Sequence, residues 1–278
     1  MPPLRYWFYR LLRRNTPQAI VDWMLDHGVY LQAGLETSDA RAAVDRYERT
    51  CHEYGRTLRD ARVCVVGYGG GLAVALHLLD LGVKQVILQD PFAPQRPRRN
   101  AHLDRERMEH FFHWTGDHWE PRDRRTTIVA EALSVLAERS PHSVDVVLSS
   151  SVLEHVSNVD RIALACARLT HPEGINVHFI DLRDHFFKYP FEMLCYSQST
   201  WGRWLNASNN LNRLRLWDHE RVWRRHFRQV DVCILDTHPG AFESVRGRVR
   251  SEFLSGDSDR DAAGHIRLCA LTGAEIRE

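Results

Sequence analysis

Two stretches of this chain carry residue types suited to holding a nucleotide-like ligand. The run Val66-Gly67-Tyr68-Gly69-Gly70-Gly71-Leu72-Ala73 places glycines directly after an apolar segment. Glycine lets a chain turn tightly and bring its backbone against a ligand. A helix starting there offers unpaired N–H groups and the positive end of its dipole. Nineteen residues past Gly71, after a second apolar segment, stands Asp90. A carboxylate at that place can accept both hydroxyl hydrogens of a ribose, through charge-assisted bonds of roughly 1.5–3 kcal/mol each. Turn and acid together point to an adenosine-containing ligand. The third glycine of a dinucleotide fingerprint would fall at Leu72, so that fingerprint is not met. No GxxxxGK[ST] loop is present, which excludes ordinary P-loop phosphoryl transfer.

A second set could move a proton. His155 follows the apolar run Val144–Ser149, and Asp181, Asp184 and His185 follow the apolar run Ile175–Ile180. A histidine with an ordinary pKa near 6.5 is a suitable general base at neutral pH, and a neighbouring aspartate can orient it. The same residues also fit plainer roles: Glu154–His155 as the cap of a helical turn, Asp184–His185 as a pin for the next loop. The six cysteines (Cys51, Cys64, Cys166, Cys195, Cys233, Cys269) form no CxxC pair and have no short spacing to histidine. That is neither a zinc pattern nor a disulfide framework, so no metal is assigned, and a reducing cytoplasm fits best. Cys64, Cys233 and Cys269 read as small buried hydrophobes.

The elements that must position these groups follow from the apolar patterning. Residues 1–57 read as a helical extension, with helices near Leu4–Arg13, near Pro17–His27, and after a cap at Ser38. From residue 58 short apolar runs alternate with helices. Strands are expected at Arg62–Val66, Gln85–Gln89, Thr126–Val129, Val144–Ser149, Ile175–Ile180, Val230–Leu235 and Ile266–Leu271. Helices are expected at Gly70–Leu81, near His102–Phe112, and at Glu131–Arg139, Val159–Leu169 and Asp218–Phe227. This is an α/β pattern, a Rossmann-like doubly wound sheet of seven mostly parallel strands. In such sheets ligands sit at the carboxyl ends of the strands. Residues 58–278 make one domain, with an aromatic, asparagine-rich insert at about 182–217.

The stretch Val144-Asp145-Val146-Val147-Leu148-Ser149-Ser150-Ser151-Val152-Leu153-Glu154-His155-Val156, with the later turn His171-Pro172-Glu173-Gly174, resembles the class I S-adenosylmethionine-dependent methyltransferases. The resemblance covers roughly residues 58–236. Its Leu-Glu-His-Val piece is most similar to the small-molecule O-methyltransferases of quinone biosynthesis. It implies S-adenosylmethionine as cofactor, with Gly67, Tyr68, Gly69 and Gly71 around its methionine part and Asp90 on the ribose. Glu131 and Ala132 would lie at the adenine, and Ser150 beside the cofactor. His155, Asp181 and His185 would serve the transfer. Two positions depart from the pattern: Val65 stands where the family usually has an acid, and Ser151 where the quinone enzymes have a further glutamate. The glycine run is also similar to the nucleotide loop of ubiquitin-activating-type adenylating enzymes, but the fourth strand ends in Ser-Ser-Ser without their aspartate. A catalytically inactive, methyltransferase-like binding subunit is the other alternative.

Composition limits the partners. The formal charge is +1, and only Lys84 and Lys188 among the 37 basic residues are lysines. A small-molecule acceptor fits this balance better than nucleic acid. The stripe Arg221, Arg224, Arg225 and Arg228 is read as a solvated face that could also meet phosphate. Phe186, Phe187, Tyr189, Phe191, Tyr196, Trp201 and Trp204 are expected to form a lid over the pocket. No run is long enough to span a membrane. The basic, aromatic segment Leu4–Arg14 fits a helix packed on its own domain, or an arm lying on a membrane surface.

Overall fold

The computed structural model describes residues 4–17, 20, 35–92, 100–185, 188–206 and 211–272. The expected helix near Pro17–His27 and most of the loop after Asp90 lie outside these residues, as do Phe186 and Phe187. Seven strands form one sheet: β1 (Arg62–Val66), β2 (Gln85–Gln89), β3 (Thr126–Val129), β4 (Val144–Ser150), β5 (Thr170–Asp181), β6 (Gln229–Thr237) and β7 (Ala263–Leu271). Their order across the sheet is β3-β2-β1-β4-β5-β7-β6. The first five pair in parallel, and β7 runs antiparallel to both of its neighbours. The order in which strands are added therefore switches sides between β1 and β4, the place where such sheets bind ligands at their carboxyl ends.

The parallel strands are apolar on both faces because helices cover both. Val63 and Val65 point into one core with Val86, Leu88, Val146, Leu148 and Val177. That core is closed by helices α2 (Ala40–Glu53) and α3 (Ala73–Leu81). Cys64 and Val66 point the other way, into a core with α5 (Leu133–Arg139), α6 (Val159–Leu169) and α7 (Leu216–Trp223). Helix α4 (Arg105–Phe111) follows β2 on the first face. Among the described residues no helix is long and apolar enough to cross a membrane.

Helix α2 is capped by Asp39, whose Oδ1 accepts the Ala42 N–H at 2.9 Å, one residue later than the expected cap at Ser38. Ser38 instead closes the short helix Leu35–Ser38. Asp218 supports the start of α7 from inside its first turn, accepting the Arg215 N–H at 3.1 Å. Strand β5 begins five residues before the expected run. The His171–Gly174 segment stays in the sheet as a bulge between the Val144 and Val146 pairings. A side chain on Gly174 would lie 2.6 Å from the Asp145 carbonyl oxygen, which explains the glycine. A small hairpin, Phe112–Trp114 with Trp119–Pro121, was not apparent in the apolar pattern. Cys64 and Cys269 are buried as expected, but Cys233 is exposed, because β6 is the sheet's edge and its residues alternate toward solvent.

A third core stands apart from the sheet. Helix α1 (Leu4–Asn15) packs on the insert, and Tyr6 joins Phe191, Met193, Leu194, Tyr196, Trp201 and Phe242.

Candidate active site

The glycine turn is built from local backbone geometry. Gly67, Gly69 and Gly70 have φ of +73°, +66° and +81°, a region side chains disfavour. A Cβ on Gly67 would also fall 2.4 Å from Val152 Cγ2, so this turn and the chain leaving β4 approach more closely than any other residue would permit. Gly71 has open space around its Cα. Asp90, at the end of β2, accepts the Gly69 N–H at 3.1 Å and the Phe92 N–H at 2.9 Å. Its two oxygens are thus aimed along the turn, and each keeps a lone pair for another donor.

The pocket beside this turn is lined by Glu36, Val65, Tyr68, Gly71, Ala73, Val74 and His102. Burial pushes the Tyr68 phenol up to about 12. Glu36 was not singled out by sequence; it comes from the N-terminal extension, and its carboxylate accepts the Tyr47 hydroxyl. Burial raises its pKa to about 7 against the pull of Tyr47 and Arg46. Asn100 was also missed. Its Oδ1 accepts the Leu72 N–H at 2.8 Å and its Nδ2 donates to the Gly70 carbonyl at 3.3 Å, so it ties the far side of the turn. At the end of β3 the Glu131 carbonyl accepts Gln89 Nε2 at 2.7 Å, while the Glu131 carboxylate pairs with Arg139 at 2.6 Å. Ala132 is exposed at the cap position of α5.

A second group gathers where β4 and β5 end. Ser151 turns with φ +53° and its N–H donates to the Phe179 carbonyl at 2.9 Å, which swings Val152–His155 back over the strand ends. This brings Glu154, His155 and His185 together, with one ligand-capable atom of each within 4.8 Å of the others. The two imidazole rings meet edge to face, with centroids 4.7 Å apart. Both Glu154 carboxylate oxygens are buried without a hydrogen-bond partner, and burial raises that pKa to about 8. Burial lowers the pKa of His185, with Asp181 and Asp184 acting in the opposite direction. The trio therefore sets two imidazoles, one of them with its charged form disfavoured by burial, beside a buried carboxyl. Such a set could take a proton, and two histidines with one carboxylate are also the donors of a three-ligand metal site. No local spacing reveals it, because His185 is thirty residues from its partners. Ser150 sits at the same mouth, 3.4 Å from Arg46 Nη2, and the Arg46 guanidinium lies 3.6 Å from the centre of the Phe179 ring.

Asp181 is held by partners of its own. Arg183 grips both its oxygens at 3.0 Å, and His265 Nε2 lies 3.3 Å away. Burial alone would raise its pKa, but these partners hold it well below the usual carboxylate range. His265 also pairs with Asp236 at 2.6 Å, so Asp181 belongs to a structural charge network linking β5, β6 and β7. Asp184 is wholly buried and bonded to Tyr6 and Arg10 of α1, which makes it an anchor for the extension.

A family model described as a methyltransferase domain matches residues 65–177. Among solved structures, one from Galdieria sulphuraria assigned as a sarcosine dimethylglycine methyltransferase aligns with a TM-score of 0.51 and 11% identity, covering 92% of this chain and 99% of that one. The fold is class I S-adenosylmethionine-dependent methyltransferase-like. Two others align with lower scores. A methyltransferase solved with the Trm112 activator of Haloferax volcanii has a TM-score of 0.48, 15% identity and coverage of 87% and 96%. Phosphoethanolamine N-methyltransferase 2 of Haemonchus contortus, bound to S-adenosyl-L-methionine, has 0.47, 14% and coverage of 82% and 52%, so this chain spans about half its length. No curated protein matches the sequence.

Within this methyltransferase-like fold the matched segment holds the glycine turn, Asp90, Glu131, Ser150 and His155, and ends before Asp181 and His185. The aromatic insert is mostly packed rather than poised over the cleft. Tyr196 stacks on Tyr6 with centroids 5.8 Å apart, and Trp201 is buried with its Nε1 donating to the Leu211 carbonyl. Trp204 is the exposed exception. The arginine stripe is largely neutralised: Arg221 pairs with Asp218, Arg224 with Glu220 and Arg225 with Asp160.

Proposed function

We propose that the chain transfers a methyl group from S-adenosylmethionine to an oxygen of a small-molecule acceptor. The observation that carries this reading is the left-handed glycine turn aligned with Asp90 across β1 and β2, in a methyltransferase-like fold. Gly67, Tyr68, Gly69 and Gly71 border the space for the cofactor's amino-acid part, with Gly71 leaving room for it. Glu36 is the acid available to its ammonium group, on the pocket wall shared with Val65. Asp90 takes the ribose hydroxyls. Ala132, exposed at the start of α5, borders the adenine, and Glu131 reaches the adenine amino group only by releasing Arg139. Ser150 closes the cofactor side of the mouth.

The cofactor, when bound, supplies a sulfonium methyl group open to inline displacement. Positioning can account for roughly 7–11 kcal/mol of the barrier to such a reaction. The acceptor hydroxyl loses its proton to the His155–His185 pair; desolvation lowers the His185 pKa, and Asp181 and Asp184 are favourable neighbours when it takes the proton. A base placed this way contributes about 10²–10⁴ in rate. A ring-bearing hydroxyl compound is the acceptor class favoured by the Leu-Glu-His-Val similarity. Residues 1–57 act as a cap on the 58–278 domain, and six unpaired cysteines favour a reducing, cytoplasmic setting.

Calorimetry with S-adenosylhomocysteine and with ATP tests the reading. Micromolar binding of the former is expected, and tight ATP binding without it would replace methyl transfer by adenylation. Screening hydroxylated acceptors with labelled methyl donor follows; cofactor binding with no turnover on any acceptor would favour a binding subunit.

A further inference from the structure

Helix α1 has two faces with apolar residues, and among the described residues only the inner one is buried. Its inner face carries Tyr6 and Arg10, both buried, which bind Asp184. On its outer face Leu4, Phe8 and Leu12 recur every fourth residue and are 87%, 63% and 54% exposed. Tyr9 extends this surface, its ring against Phe8. The neighbouring helical turn Trp201–Leu205 adds Trp204, 49% exposed, and the two elements are joined by Arg14, which donates to the Arg203 carbonyl. Exposed Arg5, Arg14 and Arg203 border the patch, and the Arg203 guanidinium lies 5.3 Å from the Trp204 ring centre. Neither α1 nor residues 193–206 contain a single acid.

We infer that this face docks on an anionic bilayer surface. A partly exposed Trp, Tyr and Phe with leucines, framed by exposed arginines, is the composition that settles at a headgroup boundary. The absence of carboxylates from these two segments matches them to negatively charged headgroups rather than neutral ones. A second copy of the chain is the poorer occupant: a two-fold contact through this patch would set Arg5, Arg14 and Arg203 against their own equivalents. Because the inner face of α1 holds Asp184, docking brings the loop bearing His185 to about one helix diameter, ~10 Å, from the lipid. Lipid-dissolved acceptors would then enter beside the histidine pair. The surface itself does not depend on the methyl-transfer reading, since bilayer binding is measured without cofactor or acceptor.

Flotation of the full chain with vesicles tests this directly. Binding is expected to phosphatidylcholine mixed with phosphatidylglycerol, weak binding to phosphatidylcholine alone, and release by high salt. The double variant Phe8→Asp, Leu12→Asp changes only exposed side chains; it should bind at least tenfold more weakly with unaltered thermal unfolding. Arg5→Gln with Arg203→Gln should remove the preference for the anionic vesicles. The inference is overturned if the wild-type chain floats with neither vesicle, or if the acidic double variant binds as well as wild type. It is equally overturned if the wild-type chain forms a dimer that this variant abolishes.

Discussion

The two halves of the cleft are made in different ways. On the side of the glycine turn, groups are placed largely by backbone: glycines by their own φ, Asp90 by the strand it ends and by the Gly69 and Phe92 N–H groups it accepts. On the acceptor side, placement depends on partners far along the chain. Asp184 is held by Tyr6 and Arg10, and Asp181 by His265 as well as Arg183. Arg215 is buried and donates to the carbonyls of Leu182, Asp261 and Ala263. A turn assembled locally can be written in a short motif, whereas a wall assembled from three distant segments cannot. The family match ends at residue 177, close to where the first mode gives way to the second.

The sharpest way to break this contrast is Asp184→Ala. Removing one partner of a buried ion pair leaves Arg10 uncompensated, at a cost of about 3–5 kcal/mol. Denaturant unfolding should record that loss, and a change below about 0.5 kcal/mol would mean α1 is a surface appendage. An acid limb is expected next. His178 and His219 are buried under α7, and burial lowers their pKa to about 3 and about 4. Between those values and about 6.5 the unfolded chain binds more protons than the folded one, so stability falls as pH drops through that window. Glu154, raised to about 8 by burial, acts oppositely: its share of stability is lost as pH rises from the ordinary carboxylate range toward 8. Thermal melts should therefore show a flattened optimum near neutrality, with His219→Leu weakening the acid limb; a limb that persists unchanged in that variant would clear His219.

Effects on the cofactor side should be smaller and confined to binding. Asp90→Ala is expected to weaken S-adenosylhomocysteine at least tenfold, about 1.4 kcal/mol. It should move the melting temperature much less than Asp184→Ala does. Unchanged affinity would remove Asp90 from the ribose. The smallest effect is expected from Arg225→Gln, which breaks an exposed pair with Asp160 and should cost less than about 1 kcal/mol. A large loss of stability there would show that the outer face of the helix region matters more than its exposure indicates.

How much was legible follows the same division. All seven strands of the sheet were readable: the five parallel strands read as apolar runs, and the antiparallel pair β6 and β7 still carries enough apolar residues to stand out, although the edge strand alternates toward solvent. The glycine turn and Asp90 were readable because each ends a strand that shows as an apolar run, so their spacing alone brings them together. Asp181 stood out by its place at a strand end, and its partners were legible only in part. Arg183, two residues on, was visible, but His265 reaches it only through the antiparallel β7. The insert's aromatics looked like a lid, yet they build a core with Tyr6, a partner nearly the whole chain away. Glu36 and Asn100 were invisible because neither belongs to a periodic pattern; each matters only through the pocket it borders or the turn it ties. The 112–121 hairpin escaped because strands of three residues carry no alternation to read.

The inserted strand β7 has a consequence for how the molecule is made. It follows β6 in the chain yet lies between β6 and β5. During synthesis, β6 can find no place in the sheet until residues 263–271 have left the ribosome, and its edge waits unpaired. The half built from β1 to β3 is complete in sequence long before, while the wall carrying Asp181 and the His265 network needs β7 in place. Any lesion in β7 should therefore act first on the yield of folded protein and only afterwards on its chemistry.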